Sequence, residues 1–337
     1  MGGDAAPKMV VWGANIARQR HPDVTFLMFG RAREIKPLLD KWNRLGAITT
    51  LIDTEDVVSS AEKPSVALRS GRNSSMRLAI NAVREGKADG IVSAGNTGAL
   101  MAMAKFVLKT LPGVDRPAMA SFFPTLRGET LMLDLGANVV CGARNLVDFA
   151  VMGNAFARCV LGALQPSYGL LNVGSEEVKG HEALHEASAT LREANLPGRF
   201  VGFVEGDDIP KGTVDVVVTD GFTGNVALKT AEGTAMLVNE YMRRTFRSSL
   251  LAGLGYMLAR SALRKLRKRL DPRRYNGAIF LGLNGITVKS HGGTDALGFA
   301  NAIGVAIDMK KYGIIEKTRA DFAALMQQHP KAQAATG

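Results

Sequence analysis

Short apolar runs alternate with helix-patterned segments along most of this chain, and that alternation constrains the fold more than any other feature. The strand candidate VDVVV at 214–218 is almost wholly apolar, so it has no polar face to turn toward water. A strand of that kind needs cover on both faces, which a parallel sheet flanked by helices provides. VTFLMFG (24–30), 90–93, ETLMLDLGAN (129–138), SYGLLNVG, RFVGFVEG and DVVVTDGFTGN read as strands that end in glycine-rich or polar turns. Helices are expected after the first strand through Pro37 to Leu45, ahead of a stop near Gly86, over 145–164 and from Val226 to Phe246. There is no Pro/Ser linker and no repeat of 20–50 residues. The expected architecture is therefore one α/β domain over residues 1–337, a three-layer α/β/α sandwich with a mostly parallel sheet. A further helical segment is expected at 240–275. The start, Met1-Gly2-Gly3-Asp4, has the composition of a strand end or loop, so a first strand is expected to be missing before Met1.

A hydrophobic fraction of 46% with 22% charged residues is that of a globular chain. Two cysteines cannot build a disulfide framework and fit a reducing compartment, hence the cytoplasm. The first twenty residues hold no signal-type apolar region, and no run approaches the length of a membrane span. The net charge of +11 is local: from Arg243 to Arg274 there are eleven basic residues and one acidic residue, Asp271. So confined a charge argues against a general nucleic-acid surface. Within it, Leu251, Leu254, Leu258, Ala262, Leu266 and Leu270 recur at helical spacing, while Arg260, Arg264, Arg267 and Lys268 fall largely elsewhere around the wheel. A basic amphipathic helix suits an anionic membrane surface reached from the side, and it equally suits packing in a dimer or against an acidic protein.

Four turns share one design, a strand end followed by Gly, Asn, Ser or Thr and then a helix: 93–104, 134–142, 219–233 and 289–303. Helix starts carry unpaired N–H groups and a positive dipole end, and glycine allows close approach, so such turns suit an anion. Lys229, Lys289 and His291 lie in or beside them. No P-loop and no G-x-G-x-x-G between strand and helix occurs, which disfavours a nucleotide and leaves a small anion such as phosphate. HEALH (181–185) matches the zinc pattern H-E-x-x-H, but its surroundings are polar and alanine-rich and a third ligand is not evident, so no metal is expected. Cys141 reads as a small buried thiol rather than a nucleophile, and no G-x-S-x-G elbow is present.

The motifs MGGDAAP (1–7), SAGNTGALMA (93–102), RPAMASFFPTLRG (116–128), LDLGANV (133–139), FAVMGNAFA (149–157), GLLNVGSEEVKG (169–180), VDVVVTDGFTGNVALKTAEG (214–233) and LGLNGITVKSHGGTDALGFANAI (281–303) together resemble the PlsX family of bacterial phosphate acyltransferases. The resemblance runs from the first residue to about Gly313. It implies a fold similar to phosphotransacetylases and isopropylmalate dehydrogenase, a homodimer, and peripheral membrane association. It also implies the reaction of acyl-[acyl carrier protein] with inorganic phosphate to give acyl phosphate and free carrier protein, in phospholipid synthesis and without a cofactor. Phosphate is then itself the nucleophile. Lys229, Asn225 and His291 are expected to carry catalysis. Asn96, Thr97, Gly98, Asn138, Lys179, Gly224 and Lys289 are expected to bind phosphate or substrate. Val140 stands where the family commonly has Asp, and Asp207 where many members have Arg. An acyltransferase using acyl-coenzyme A and a non-enzymatic membrane-binding protein are the alternatives.

Overall fold

The computed structural model describes residues 1–269 and 271–328, without the side chains of Arg267, Lys268, Arg269, Pro272, Arg274 and Gln328. Of the amphipathic pattern above, Leu270 and the side chains of Arg267 and Lys268 therefore lie outside the described residues. Among the described residues ten strands form: β1 Phe26–Gly30, β2 Thr49–Asp53, β3 Gly90–Ser93, β4 Ala118–Thr125, β5 Gly128–Leu133, β6 Ser167–Leu171, β7 Arg199–Val204, β8 Val216–Val218, β9 Ala278–Leu281 and β10 Ile286–Lys289. Eight of them make one sheet in the order β3-β10-β9-β4-β5-β8-β6-β7, and β1 and β2 pair parallel apart from it.

Four pairings in the large sheet are parallel, and the three antiparallel ones lie together in the middle, β10–β9, β9–β4 and β4–β5. The sequence pattern points to most of the parallel strands but not to β2, β4 or β9. Alanines, a serine and Pro124 make β4 a poor strand by propensity. Its burial and a tight hairpin to β5, with Thr125 opposite Gly128, override that. Gly128 makes the turn at φ +141°.

Alternate residues of the central strands supply two cores. Leu131, Leu133, Val216, Val218, Ile279 and Val288 pack on one face with Phe149, Met152 and Phe156 of helix Ala143–Phe156. Met132, Val217, Met119 and Phe280 pack on the other with Leu100, Met103 and Val107 of helix Thr97–Leu108. The two-faced burial expected of an α/β/α sandwich is thus present, with helices on both sides. Helix Ala143–Phe156 continues through a π-helical turn, Ala157–Leu161, and stops at Gly162, close to the expected end.

A third cluster joins helix Lys8–Arg20 to β1 and helix Ala296–Lys311 through Met9, Val11, Met28, Ile35, Phe299 and Ile303. Between β1 and β3 opens a cavity of about 710 Å³, lined by Met1, Gly2, Phe26–Phe29 and Gly90–Ala94 among others. Each of these strands has its named strand partner on one side only, β2 for β1 and β10 for β3.

The basic segment ends helix Gly221–Phe246 and forms helix Leu250–Arg269. Phe246 and Tyr256 touch, with ring centroids 5.5 Å apart. Leu250, Leu251, Leu254, Met257 and Leu258 stand largely in solvent. Among the described residues no helix is long and apolar enough to cross a membrane.

Asp148, on helix Ala143–Phe156, is buried and accepts the Asp115 N–H at 3.2 Å. Burial pushes its carboxyl up to about 7, against the Asp115 N–H and the Arg144 charge. An unfolded aspartate ionises near pH ~4. Between that value and about 7 the native state holds a proton that the unfolded chain has released, so stability falls as pH rises through this window. Asp148→Asn should flatten the dependence, removing a loss of roughly 2–4 kcal/mol between pH ~4 and ~7, as read from melting temperatures across that range.

Candidate active site

Two groups of loops form the candidate site, and helix Gly221–Phe246 links them. In the first, the Asp4 N–H donates to the Gly292 carbonyl at 2.9 Å, bringing the N-terminal turn onto the turn after β10. Lys289, the last residue of β10, lies opposite Ser93 on β3 and Ala278 on β9. It is 8% exposed, and its Nζ donates to the Ser290 carbonyl. Burial pulls this ammonium down to about 8; the Lys229 charge lowers it further and Asp4 opposes both. The buried Lys289 ammonium thus lies within electrostatic reach of the exposed Lys229 and Asp4. His291 Nδ1 accepts the Gly293 N–H at 3.1 Å, which leaves Nε2 to carry the proton of the neutral ring. The His291 N–H itself donates to Asn276 Oδ1 at 2.8 Å.

In the second group, the loop after β5 curls around Asp134. Asn138 is buried, and its amide Nδ2 donates to the Pro117 carbonyl at 2.8 Å and to Asp134 Oδ2 at 2.9 Å. Helix Gly221–Phe246 begins directly on this loop, the Gly221 N–H donating to the Asn138 carbonyl at 2.7 Å. A Cβ on Gly224 would sit 1.9 Å from the Asp134 carbonyl oxygen, so only glycine permits this approach. Asn225 Nδ2 donates to the Leu135 carbonyl at 3.3 Å. Asn225 and Lys229 are four residues apart and share a face of the helix. That face carries the second group, at Asn225, to the first, where the Lys229 charge is felt at Lys289.

The remaining expected residues fall in distinct settings. The Asn96 side chain caps helix Thr97–Leu108, accepting the Ala99 N–H at 3.0 Å. Its amide donates to the carbonyls of Ser59, Ser60 and Glu62 at 3.1, 3.1 and 2.8 Å. Thr97 is exposed at the helix start, and Gly98 packs where a Cβ would lie 2.7 Å from Pro64 Cγ. Lys229 is exposed and paired with Glu232 at 2.7 Å. Lys179 is exposed in the loop after β6, two strands beyond β5 in the sheet, where its carbonyl accepts from Asn172 Nδ2.

The anion-binding logic of the four turns is modified by their own side chains. Asn96, Asp220 and Asp295 each accept an N–H of the first helical turn, from Ala99, Thr223 and Gly298. Asp4 and Asp134, inside the motifs MGGD and LDLGAN, are the site residues that sequence reasoning passed over. Nothing in the turn pattern singled them out, and burial of Asp134 among N–H groups is what gives the loop its shape. The H-E-x-x-H pair also separates in role, with His181 preceding helix Glu182–Glu193 and His185 edge-on to Phe203 at 5.9 Å between ring centroids. Among the described residues no group of three or more His, Cys, Asp or Glu side chains gathers.

The model of a family described as "Fatty acid synthesis protein" matches residues 1–317. The chain belongs to this family. It is 66% identical over 325 residues to a phosphate acyltransferase of Rhodospirillum centenum, covering 96% of this chain and 92% of that one. It is 61% identical to a phosphate acyltransferase of Paramagnetospirillum magneticum, covering 96% and 93%. The PlsX resemblance of the motifs therefore extends to nearly the whole length. Among solved structures, a phosphotransacetylase from Streptococcus pyogenes shares the fold, with a TM-score of 0.59 at 18% identity over 94% of this chain and 91% of that one.

Cys141 tests the chemistry of the site from another side. Its Sγ faces the Asn138 carbonyl at 3.4 Å, and burial pushes the thiol up to about 11. At pH 8 only about one thiol in a thousand is then ionised, against roughly a quarter for a free cysteine. Alkylation of Cys141 by iodoacetamide, followed by mass spectrometry, should run about 10²-fold slower than that of glutathione.

Proposed function

We propose that this chain transfers an acyl group from acyl-[acyl carrier protein] to inorganic phosphate, giving acyl phosphate and free carrier protein for phospholipid synthesis. The observation that carries the proposal is the whole-length identity of 66% to a phosphate acyltransferase. The site supports it. Burial and, to a lesser degree, the Lys229 charge work against the Lys289 ammonium, and a bound anion would offset both. A phosphate oxygen attacks the thioester carbonyl carbon, the new C–O bond forms an oxyanionic intermediate, and the C–S bond breaks. The thiolate leaves and takes the proton that the attacking hydrogen phosphate gives up. Such a reaction needs no protein nucleophile, in keeping with a Cys141 thiol held protonated.

Asn225 and the Nε2–H of His291 are proposed to donate to the developing oxyanion, and Lys229 and Lys289 to hold the phosphate. Asn96 would act by capping a helix start whose first N–H groups, at Thr97 and Gly98, face the anion, and Asn138 and Gly224 by seating helix Gly221–Phe246 on the loop after β5. Lys179 would serve at the rim. The basic helix Leu250–Arg269 is proposed to rest on an anionic membrane surface, because its leucines stand exposed beside Arg260, Arg264 and Lys265. Acyl carrier protein, also acidic, would meet the same charge, and a homodimer would cover part of the exposed apolar surface. The enzyme would then be cytoplasmic and peripherally attached.

Incubation with palmitoyl-carrier protein and phosphate should yield acyl phosphate, and acyl-coenzyme A should be the poorer donor. Asn225→Ala and Lys229→Ala should each lower the rate by about 10²-fold, the scale of one lost oxyanion donor; near-normal turnover would sink the assignment. Vesicles containing anionic lipid should sediment with the protein. The triple variant Arg260→Glu, Arg264→Glu, Lys265→Glu should stay in the supernatant.

A further inference from the structure

We infer that Asp134 is the positioning residue for Asn225, an inference that rests on the acyl-phosphate reading of the site. The Asp134 side chain is fully buried, at 0% exposure. Its Oδ1 accepts N–H groups from Met119, Gly136 and Ala137 at 2.9, 3.3 and 3.1 Å. Its Oδ2 accepts the Asn138 N–H at 2.6 Å and Asn138 Nδ2 at 2.9 Å. An ionised carboxylate is an acceptor only, so it alone satisfies five donors converging from one strand and one loop. Both oxygens are occupied, and Asp134 therefore acts through the loop rather than on a substrate.

The curl that the carboxylate imposes has three consequences at the start of helix Gly221–Phe246. The Leu135 carbonyl is presented to Asn225 Nδ2, and the Asn138 carbonyl to the Gly221 N–H. The Asp134 carbonyl itself lies under Gly224, where a Cβ would sit 1.9 Å away. The helix is seated at three points, and the Asn225 amide is oriented by one N–H while the other is left for the reacting atoms. The Asp134 carboxylate is thus linked to the catalytic amide by backbone geometry alone. Replacing it by Asn would turn an NH₂ group toward N–H donors and uncurl the loop with almost no change in volume.

The test is a double-mutant cycle in the acyl-phosphate assay, with kcat and the KM for phosphate measured for the wild type, Asp134→Asn, Asn225→Ala and the pair. Circular dichroism and melting curves accompany each. Asp134→Asn should lower kcat by about 10²-fold. The double variant should fall no more than about 3-fold below Asn225→Ala, because the two side chains act as one unit. Losses that multiply across the pair, or a kcat within about 3-fold of the wild type in Asp134→Asn, would overturn the assignment. Should Asp134→Asn not fold, Gly224→Ala replaces it in the cycle, since it lifts the helix from the same loop with the carboxylate intact. The same non-additivity with Asn225→Ala is then expected, and multiplying losses count against the inference. A wild type that forms no acyl phosphate would overturn the reading of the site itself, which the control alone reveals.

Discussion

The core of this molecule depends on a sheet whose middle strands must be dry on both faces. Leu131 and Leu133 point into one core and Met132 into the other, and Val216, Val217 and Val218 repeat the pattern on the next strand. Neither layer of helices is optional under that constraint, because removing one would expose a row of fully buried side chains to water. The helices are in turn fixed where small residues let them approach. A Cβ on Gly153 would lie 2.7 Å from Val216 Cγ1, so helix Ala143–Phe156 lies directly on β8.

The same device, close approach through glycine, builds the candidate site. Gly221 and Gly224 seat a helix start on the loop after β5, and the buried Asp134 carboxylate holds that loop in shape. From there the helix carries Asn225 and Lys229 across to Lys289. Burial keeps the Lys289 ammonium under strain that an anion would relieve, and it keeps the Cys141 thiol protonated. Desolvation thus disfavours the charged form of both groups, the Lys289 ammonium and the Cys141 thiolate.

The helix Leu250–Arg269 obeys a different rule from the rest of the fold. Leu250, Leu251, Leu254, Met257, Leu258 and Leu266 remain exposed while the sheet buries nearly everything apolar. Exposed apolar residues grouped beside basic ones signal contact with something outside the chain. The amphipathic spacing in the sequence foretold the helix but not the exposure of its leucines, which only the packing of the described residues shows.

Much of this was determined by the sequence alone. Apolar runs marked most of the parallel strands, glycines marked the turns, and the combination of eight motifs pointed to the family. These features are local, because strand burial and turn geometry leave a signature within a few residues. Only the tertiary structure decided the rest. The antiparallel strands β4 and β9 form against weak propensity because long-range burial outweighs it. The Asn and Asp residues of the turns are largely engaged in capping helices and tying loops, which their spacing could not reveal. Asp134 is one motif residue among many in the sequence, and its role emerges only where five N–H groups from two separate elements converge on it. Convergence of residues distant in sequence is a property of packing, and no local pattern records it.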